Sequence, residues 1–494
     1  MNVKNLNQTM LALAIAVSCT LTAWGQARKA AEPGKEFLKP PPIPEAPYGL
    51  QQLDASGPLF PEQRYDGSDF LNAPAPVISA DQAIGADTFG GDYSLPGMLQ
   101  LASANNPTLR QAQLQISAQT AKALQAGLYP NPVLNYIGEQ IGVDGTPGEF
   151  QGMSVQQRFV TAGKLRLSRE KYMRRAHVSE HQAMVQQFRV CNDVRIHFYR
   201  ALAAWQIAAM RSELLKTAED MAVTARELYN QGQANRPDVH RSNVALQRSR
   251  LDLLQAENHY REQFRRLTAL VGVELAVAPL MGQLTPEGDA LTYDEALSIL
   301  MTESPELMVA RAKLAADGAT LRREQVEWVP DIVASGGSGY NFEAQQATAV
   351  AGVSLEVPLF DRNQGTIRQA QTDMMRQQAE IRRVELELQQ RLANTYQQYL
   401  TSLQMATEYG RVIVPESKLA YEGLLASYQD NRVDWPEVLD AQQEYFDVRL
   451  TQIQQLEEAR ANEVLVRGFL LHGGLMAAEG PTPPGHIDAV PKPR

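Results

Sequence analysis

The amino-acid sequence predicts a mainly α-helical fold with a small membrane β-barrel, organised as two tandem structural repeats. An order of helix, amphipathic strand pair, very long helix, tight turn and helix occurs twice, about 200 residues apart. The strand pairs supply four strands per chain, and an open sheet of that size leaves edge groups without partners in hydrocarbon. Because bacterial barrels have eight or more strands, we expect several identical chains to share one barrel.

The duplication is visible in short motifs that recur in the same order. Four pairs match: Asn106–Leu109 with Ser304–Leu307, Pro130 with Pro330, Gly152–Val155 with Gly352–Leu355, and Pro237–Val239 with Pro436–Val438. The offset between partners stays between 198 and 200 residues, which chance matches would not maintain. The pattern therefore predicts a tandem duplication with almost no drift in length.

The N-terminus has the pattern of a secretory signal over residues 1–27. Lys4 supplies a positive region, Met10–Val17 an apolar core, and small residues around Gly25 a cleavage site. No other stretch has the roughly 18 to 20 apolar residues of a spanning helix, so we expect an exported protein that crosses a membrane only with strands. A net charge of −10 argues against a nucleic-acid partner.

Cysteine, histidine and methionine usage gives little sign of redox or metal chemistry. Cys19 falls within the signal and leaves Cys191 alone, so no intramolecular disulfide is expected in the mature chain. Lipid attachment at Cys19 stays open, although the preceding Ala16-Val17-Ser18 fits a lipoprotein pattern poorly. The 15 methionines form no cluster typical of metal transport, and no cofactor is expected.

Pro-rich segments flank the two repeats. Residues 28–92 and the tail 474–494 favour extended backbone, so we expect a linker or wrapping arm and not a core. The first repeat is predicted at 93–275, with its strand pair at 131–160 and its tip at 229–237. A linker at 276–290 follows. The second repeat is predicted at 291–473, with its strand pair at 331–359 and its tip at 428–436.

The long helices give the strongest local signal. The run from Lys164 to Gln231 contains no Gly or Pro and is rich in good helix formers, which predicts a rod of about 100 Å. The matching run begins at Thr366, and we expect it to kink near Pro415. Each returning helix is predicted to begin at an N-cap, Asn235 or Asp434, with a proline in its first turn.

The strand pairs alternate between apolar and polar residues. In the second pair one face has Ala349, Ala351, Val353, Leu355, Val357 and Leu359, and the other has Thr348, Gly352, Ser354 and Glu356. Met153, Val155 and Phe159 alternate more weakly in the first pair. This period of two predicts a sheet that is wet on one face, although a surface hairpin of a soluble domain remains the alternative. Aromatic residues that flank the strands predict interfacial girdles or packing at the helix ends: Tyr129, Tyr136, Phe159, Trp328, Tyr340 and Phe360.

Several motifs together resemble the TolC-like outer membrane efflux proteins. They are Asn-Pro-x-Leu at 106–109, Ala126–Pro132, Phe159–Leu167, Val357–Arg362 and the tip from Tyr428 to Ala441. Each motif is weak alone, but their duplicated order is specific. The resemblance extends over residues 95–473 and is greatest to the CzcC branch, which serves heavy-metal and other cation pumps.

The resemblance implies a fold, a location and partners. The expected assembly is a homotrimer with a twelve-stranded barrel in outer membrane lipid and a periplasmic α-helical tunnel. It implies a duct without enzymatic activity, connected through a periplasmic adaptor protein to an inner-membrane pump, of RND type in preference to ABC type. The same family also serves type I protein secretion, so that function stays open as the alternative.

The resemblance also implies a gate at the periplasmic tips. The residues expected there are Tyr229, Asp238, Tyr428, Arg432, Glu437 and Asp440. The residues expected to contact the adaptor are Gly232, Asp430 and Asn431. Position 433, where the family usually has a basic residue, is valine, with Arg432 beside it.

Charge spacing supports the gate independently of the resemblance. Glu437 and Asp440 are three positions apart and share a helix face, so three-fold symmetry would place six carboxylates around one axis. Such rings favour cations. The alternative is that Asp434 and Glu437 form a capping box, with first-turn acids that offset the helix dipole.

A hypothesis from another class comes from His177, Glu180 and His181. They spell the H-x-x-E-H signature of inverted zinc peptidases and place both imidazoles on one helical face. The motif lies within the long helix beside Arg174 and Arg175, without a third ligand nearby in sequence. A solvated helical face is therefore the preferred interpretation.

Overall fold

The computed structural model describes residues 93–142, 148–232, 234–286, 290–429 and 432–488. The predicted signal at 1–27 with Cys19, the linker at 28–92, and the tip residues Asp430 and Asn431 lie outside these ranges. Of the described helices, none combines the length and apolarity that a membrane-spanning helix requires.

The two halves of the described chain show the same order of elements. The first half contains α1 (Leu95–Asn105), α2 (Pro107–Ala126), β1 (Val133–Glu139), β2 (Phe150–Phe159), α3 (Lys164–Asn230) and α4 (Arg236–Val271). The second contains α5 (Tyr293–Glu303), α6 (Pro305–Gln325), β3 (Ile332–Asn341), β4 (Gln346–Leu355), α7 (Gln364–Glu408), a π-helix (Tyr409–Ile413), α8 (Val414–Gln429) and α9 (Trp435–Arg467).

Helix α3 has the length that its composition predicts. Its 67 residues correspond to about 100 Å at 1.5 Å per residue. Left-handed backbone at Ala162 and Gly163 precedes it, and Gly232, with φ of +74°, follows its end. A single helix therefore extends from the sheet to a tip without a helix breaker inside it.

The predicted interruption near Pro415 is present as one π-helical turn. The π-helix Tyr409–Ile413 separates α7 from α8, immediately before Pro415. Because proline lacks a backbone N–H, it cannot satisfy the carbonyl four residues earlier, and a wider turn absorbs the mismatch.

The strands form one antiparallel sheet in the order β1-β2-β3-β4. Strand β2 pairs with β3 from Phe150 opposite Asn341 to Phe159 opposite Ile332, so the two hairpins join edge to edge. The prediction that Val357 and Leu359 continue β4 is wrong, because Leu355 already pairs with Ile332, the first residue of β3. Among the described residues, no strand faces those that follow Leu355.

Helix α3 packs against both halves of the chain, contacting α2, α4, α6 and α9. Contacts with α9 include charged and aromatic pairs: Arg200 lies 3.8 Å from Glu457, Arg449 lies 3.6 Å from Glu213, and the Arg460 guanidinium covers the ring of Tyr199. At the end of α9, Phe469 packs edge-on against Phe188, with 5.0 Å between ring centroids. The buried core therefore lies along α3.

Candidate functional site: the sheet and the helical tips

The register of the sheet brings apolar residues of all four strands onto one face. Tyr136 lies opposite Met153, Met153 opposite Ser338, and Ser338 opposite Ala349. The large side chains of this face are exposed in the single chain: Leu134, Tyr136, Met153, Val155, Phe159, Ile332, Tyr340, Val353 and Leu355. Gln151, Gln157 and Ser338 interrupt it. Such a face is suited to lipid or to another protein, and not to water.

The opposite face is mainly polar or small. It has Asn135, Glu139, Ser154, Gln156, Arg158, Ser335, Asn341, Thr348 and Ser354, with Val133, Ile137, Phe150, Val333 and Val350 among them. The ring of Phe150 covers Gly152 and Gly339, where an added Cβ would collide with it. Alternation of this kind is typical of strands with lipid on one side and a polar lumen on the other.

Charged and polar groups fix the helix α3 to the base of the sheet. Lys164 Nζ lies 2.9 Å from Asp331 Oδ1, and the Thr161 N–H donates to the same oxygen at 3.2 Å. The Thr161 hydroxyl donates to the Pro330 carbonyl at 2.7 Å. The end of β2 and the start of β3, which are far apart in sequence, are thereby held at the first turn of α3.

The first tip is a tight turn followed by a capped helix. The Gly232 N–H donates to the Tyr229 carbonyl at 3.0 Å, and the Tyr229 side chain is exposed. Asp238 Oδ2 accepts from the Asn235 N–H at 3.4 Å, at the start of α4. Asp238, predicted as a gate residue, therefore also caps this helix.

The second tip is closed by aromatic contact. The ring centroids of Tyr428, in α8, and Trp435, in α9, are 4.7 Å apart. Burial, and secondarily the negative charge of Asp238, raise the pKa of the Tyr428 hydroxyl. Asp238 of the first tip therefore lies within electrostatic range of Tyr428 of the second tip. Exposed Arg432 follows the turn, with its N–H donating to the Ser427 carbonyl at 2.9 Å.

Acidic side chains line one side of α9 near its start. Glu437 and Asp440 are both exposed. Asp440, Glu444 and Asp447 line an open cavity of about 380 Å³ together with Tyr409 of the π-helix. Their spacing of four and three residues places them on one helical face. The structure therefore extends the predicted acidic pair into a stripe.

The capping-box alternative for Glu437 is wrong in the described structure. The Asp434 side chain makes no capping hydrogen bond, and only the Glu437 N–H bonds locally, to the Asp434 carbonyl at 3.2 Å. The Glu437 carboxylate therefore forms no capping box, but it lies in the first turn of α9, where a negative charge offsets the helix dipole, and it is exposed to solvent.

Comparison with known proteins identifies the chain at the level of its family. Residues 98–273 and 296–468 match the outer membrane efflux protein family, and together they cover more than half of the chain. The chain belongs to the outer membrane efflux protein family. Family membership places it in the outer membrane with its helical part in the periplasm, as a transport duct and not an enzyme. The predicted resemblance to TolC-like efflux proteins is confirmed.

Relatives of this efflux protein include metal-resistance proteins. It is 24% identical to the cobalt-zinc-cadmium resistance protein CzcC of Cupriavidus metallidurans, over 79% of this chain and 91% of CzcC. It is 22% identical to the cation efflux system protein CusC of Escherichia coli K12, over 78% of this chain and 89% of CusC.

Solved outer-membrane channels share the fold. A crystal structure of CusC aligns with a TM-score of 0.63 at 17% identity, and the alignment covers 80% of this chain and 96% of the CusC chain. The channel VceC of Vibrio cholerae aligns with a TM-score of 0.61 at 15% identity, and the alignment covers 76% of this chain and 96% of the VceC chain.

The peptidase hypothesis for this efflux protein fails on geometry as well as family. His177 Nδ1 lies 2.9 Å from Glu180 Oε2, so the would-be ligand and base pair with each other on one helix. Burial lowers the pKa of His181. Across the described ranges, no group of three or more His, Cys, Asp or Glu residues is placed to hold a metal ion.

Two parts of the site lie outside the predicted motifs, although each has a signal in the sequence. Trp435 was missed, although an aromatic residue between the N-cap Asp434 and Pro436 is a usable signal of tip packing. Glu444 and Asp447 were also missed, although continuing the spacing of Glu437 and Asp440 along the helix would have found them.

Proposed function

We propose that this protein is the outer-membrane duct of a tripartite efflux system that passes heavy-metal cations from a periplasmic adaptor and an inner-membrane pump to the exterior. The observation that supports it most directly is the four-stranded sheet, apolar on one face and mainly polar on the other. Strands β1 and β4 each have one edge without a partner among the described residues. In lipid such edges must be paired.

Three copies of the sheet meet this requirement. A homotrimer joins β4 of one copy to β1 of the next and makes a barrel of twelve strands, an even number within the range of bacterial barrels. The apolar face then contacts lipid, and the mainly polar face lines the lumen. The exposed aromatic residues Tyr129, Tyr136, Phe159, Trp328, Tyr340 and Phe360 form the interfacial girdles, since none is buried within the single chain.

The acidic stripe on α9 gives the duct its preference for cations. Three-fold symmetry repeats Glu437, Asp440, Glu444 and Asp447 as four rings of carboxylates, which raise the local concentration of cations. The relatives CzcC and CusC are, by name, a cobalt-zinc-cadmium resistance protein and a cation efflux protein, which agrees with this cargo.

The tips are the gate and the docking end of the duct. Tyr229, Asp238, Tyr428 and Arg432 form the closed gate with the acidic stripe, and the charge of Asp238 acts on the Tyr428 hydroxyl. Gly232, Asp430 and Asn431 contact the adaptor, which connects the duct to a pump of RND type. Gly232 suits this role because no atom of the chain lies within 4 Å of where its Cβ would be, so its backbone is open to a partner.

Two experiments test this proposal, one on the number of subunits and one on metal resistance. Native mass spectrometry of the detergent-extracted protein is expected to give trimers from the outer-membrane fraction. A deletion strain is expected to become sensitive to cobalt, zinc or cadmium and to regain resistance with the wild-type gene. A water-soluble monomer would overturn the duct. If the deletion strain keeps its metal resistance but no longer releases a secreted protein into the medium, the duct serves type I protein secretion and not metal efflux.

A further inference from the structure

Residues 474–488, which follow α9, lie against α2, α3, α6 and α7 and form no helix or strand over this described range. The Gly474 carbonyl accepts hydrogen bonds from Thr108 Oγ1 and Gln186 Nε2, both at 2.9 Å. Farther along, the Gly480 carbonyl accepts from Gln182 Nε2 at 3.0 Å, and the Ile487 N–H donates to Asp373 Oδ2 at 3.2 Å. These bonds connect the segment to α2, α3 and α7, and its contact with α6 is made through Asp317 at the far end.

The beginning of this segment is anchored to α3. Asp193 Oδ2 accepts from the N–H groups of Gly473 at 3.0 Å and Gly474 at 2.7 Å. An added Cβ on Gly474 would lie 2.9 Å from the Val190 Cα, so the backbone approaches α3 too closely for a side chain. This close approach fixes where the segment leaves α9.

Its far end is held by a buried cluster of charges. Arg175 Nη2 of α3 lies 2.8 Å from Asp317 Oδ1 of α6 and 3.2 Å from Asp488 Oδ2. His486 Nε2 lies 3.1 Å from the same Asp317 oxygen. Lys171 Nζ contacts Asp488 Oδ1 at 3.0 Å, and the side chains of all five residues are nearly or fully buried.

Carboxylates and a histidine, as in this cluster, often bind metal ions, but here the Arg175 guanidinium occupies the centre as the positive charge. The guanidinium Nη2 of Arg175 is within 3.2 Å of a carboxylate oxygen of Asp317, one of Asp488, and Nε2 of His486. Asp373 also faces His486, at 3.7 Å. Because the arginine fills the centre, the cluster joins protein segments to one another and leaves no room there for a metal ion.

We infer that residues 474–488 form a strap that ties α3 of the first half of the chain to α6 and α7 of the second half. The named contacts on α3 lie between Lys171 and Asp193, in the part of the helix nearer the sheet. The remainder of α3, up to Asn230, lies beyond these contacts. The strap fixes the helices next to the barrel and leaves the tips free to move, whichever cargo the duct carries.

Hydrogen exchange of the full-length protein in detergent tests the strap. Asp488→Asn removes one charge from the cluster without changing its shape, and Glu479→Gln is the matched control in the same segment, because Glu479 is exposed and pairs only at 3.9 Å with Lys313. We expect Asp488→Asn to increase exchange about tenfold in peptides spanning 171–186, 310–320 and 476–488. Peptides from the tip at 225–240 are expected to stay unchanged, as is the control.

Two results would overturn the inference. Unchanged exchange in Asp488→Asn would show that the segment merely covers the helices, and equal increases at the tips and the strap would show a general loss of stability. Deletion of residues 480–494 provides a second variant, for which increased exchange is expected in the peptides spanning 171–186 and 310–320 and not at the tip. Metal resistance is measured separately in each variant, so failure of the proposed cargo leaves the exchange result interpretable.

Discussion

The rings of Tyr428 and Trp435 lie 4.7 Å apart across the turn that joins α8 to α9. The tyrosine was predicted from the family motif, whereas its partner is the first residue of α9. The indole Nε1 is buried without a hydrogen-bond partner in the described structure. This ring pair therefore holds the tip through packing, and the Tyr428 hydroxyl remains available to groups of the other tip.

Separating the two rings is expected to loosen the tip. Trp435→Ala removes an aromatic contact of about 0.5–1.5 kcal/mol and is expected to raise the closed-state conductance of single channels in planar bilayers. Tyr428→Phe keeps the ring and is expected to have a smaller effect. Tyr421→Phe serves as control, because Tyr421 stacks on Tyr445 within the same hairpin and is not adjacent to the turn. Equal conductance of all three variants and the wild type would contradict a packing role for Trp435.

The pair Lys164–Asp331 is expected to stabilise the junction between the sheet and α3. The lysine side chain is 7% exposed and the aspartate 23%, and Asp331 also accepts from the Thr161 N–H. Asp331→Asn is expected to lower the free energy of unfolding by about 1.5–3 kcal/mol, the range for hydrogen bonds to charged groups. Denaturant unfolding in detergent measures this change.

The control for this junction is an ion pair with similar geometry on the surface. Arg322 lies 2.8 Å from Glu170, and both side chains are well exposed. Glu170→Gln is therefore expected to cost less than about 1 kcal/mol. Comparable losses for Glu170→Gln and Asp331→Asn would show that burial at the junction adds nothing.

Local sequence patterns predicted the elements because their causes are local. The absence of Gly and Pro between Lys164 and Asn230 is sufficient for α3, and Pro415 is sufficient for a break in the matching helix. The alternation in β4 predicted which residues share a face. Its end at Leu355 was not predictable from the strand alone, because it depends on where β3 begins.

The remaining features depend on residues that are distant in sequence. Arg175 meets Asp317 across 142 positions, and it contacts Asp488 across 313. Nothing local distinguishes Arg175 from the exposed arginines of the same helix, and prolines around His486 indicated only extended backbone. The acidic stripe was only partly predictable: the spacing of its residues is visible in the sequence, but the cavity beside it also depends on Tyr409 of the π-helix.

Neutralising the acidic stripe is expected to reduce cation preference. If the proposed duct is correct, the combined substitutions Asp440→Asn, Glu444→Gln and Asp447→Asn remove nine carboxylates from a trimer. The reversal potential in a potassium chloride gradient is expected to shift towards zero, because the fixed negative charge that attracts cations is lost. Glu422→Gln is the control, since Glu422 is exposed on α8 and pairs with Lys418. An unchanged reversal potential would remove the stripe from the conduction path.

Acid is expected to release the strap through Asp488. Burial raises the pKa of this carboxyl, but Lys171, Arg175 and the Thr320 hydroxyl lower it more, so that the pKa lies below its usual range. A lowered folded-state pKa contributes stability that is fully present above the unfolded value of about 4 and is lost as the pH falls through the folded value. The contribution of Asp488 is therefore expected to be constant near neutrality and to shrink below about pH 4.

The difference in thermal midpoint between wild type and Asp488→Asn, measured from neutral to acid pH, isolates this contribution. The other ionisable groups that face the cluster are Lys171, Arg175, Asp317, Asp373 and His486. Both proteins retain them, so the two proteins differ only at position 488. We expect a constant difference near neutrality that closes in acid. A difference that persists or widens at the lowest pH would contradict the lowered pKa, because protonation of Asp488 would then not remove its advantage over asparagine.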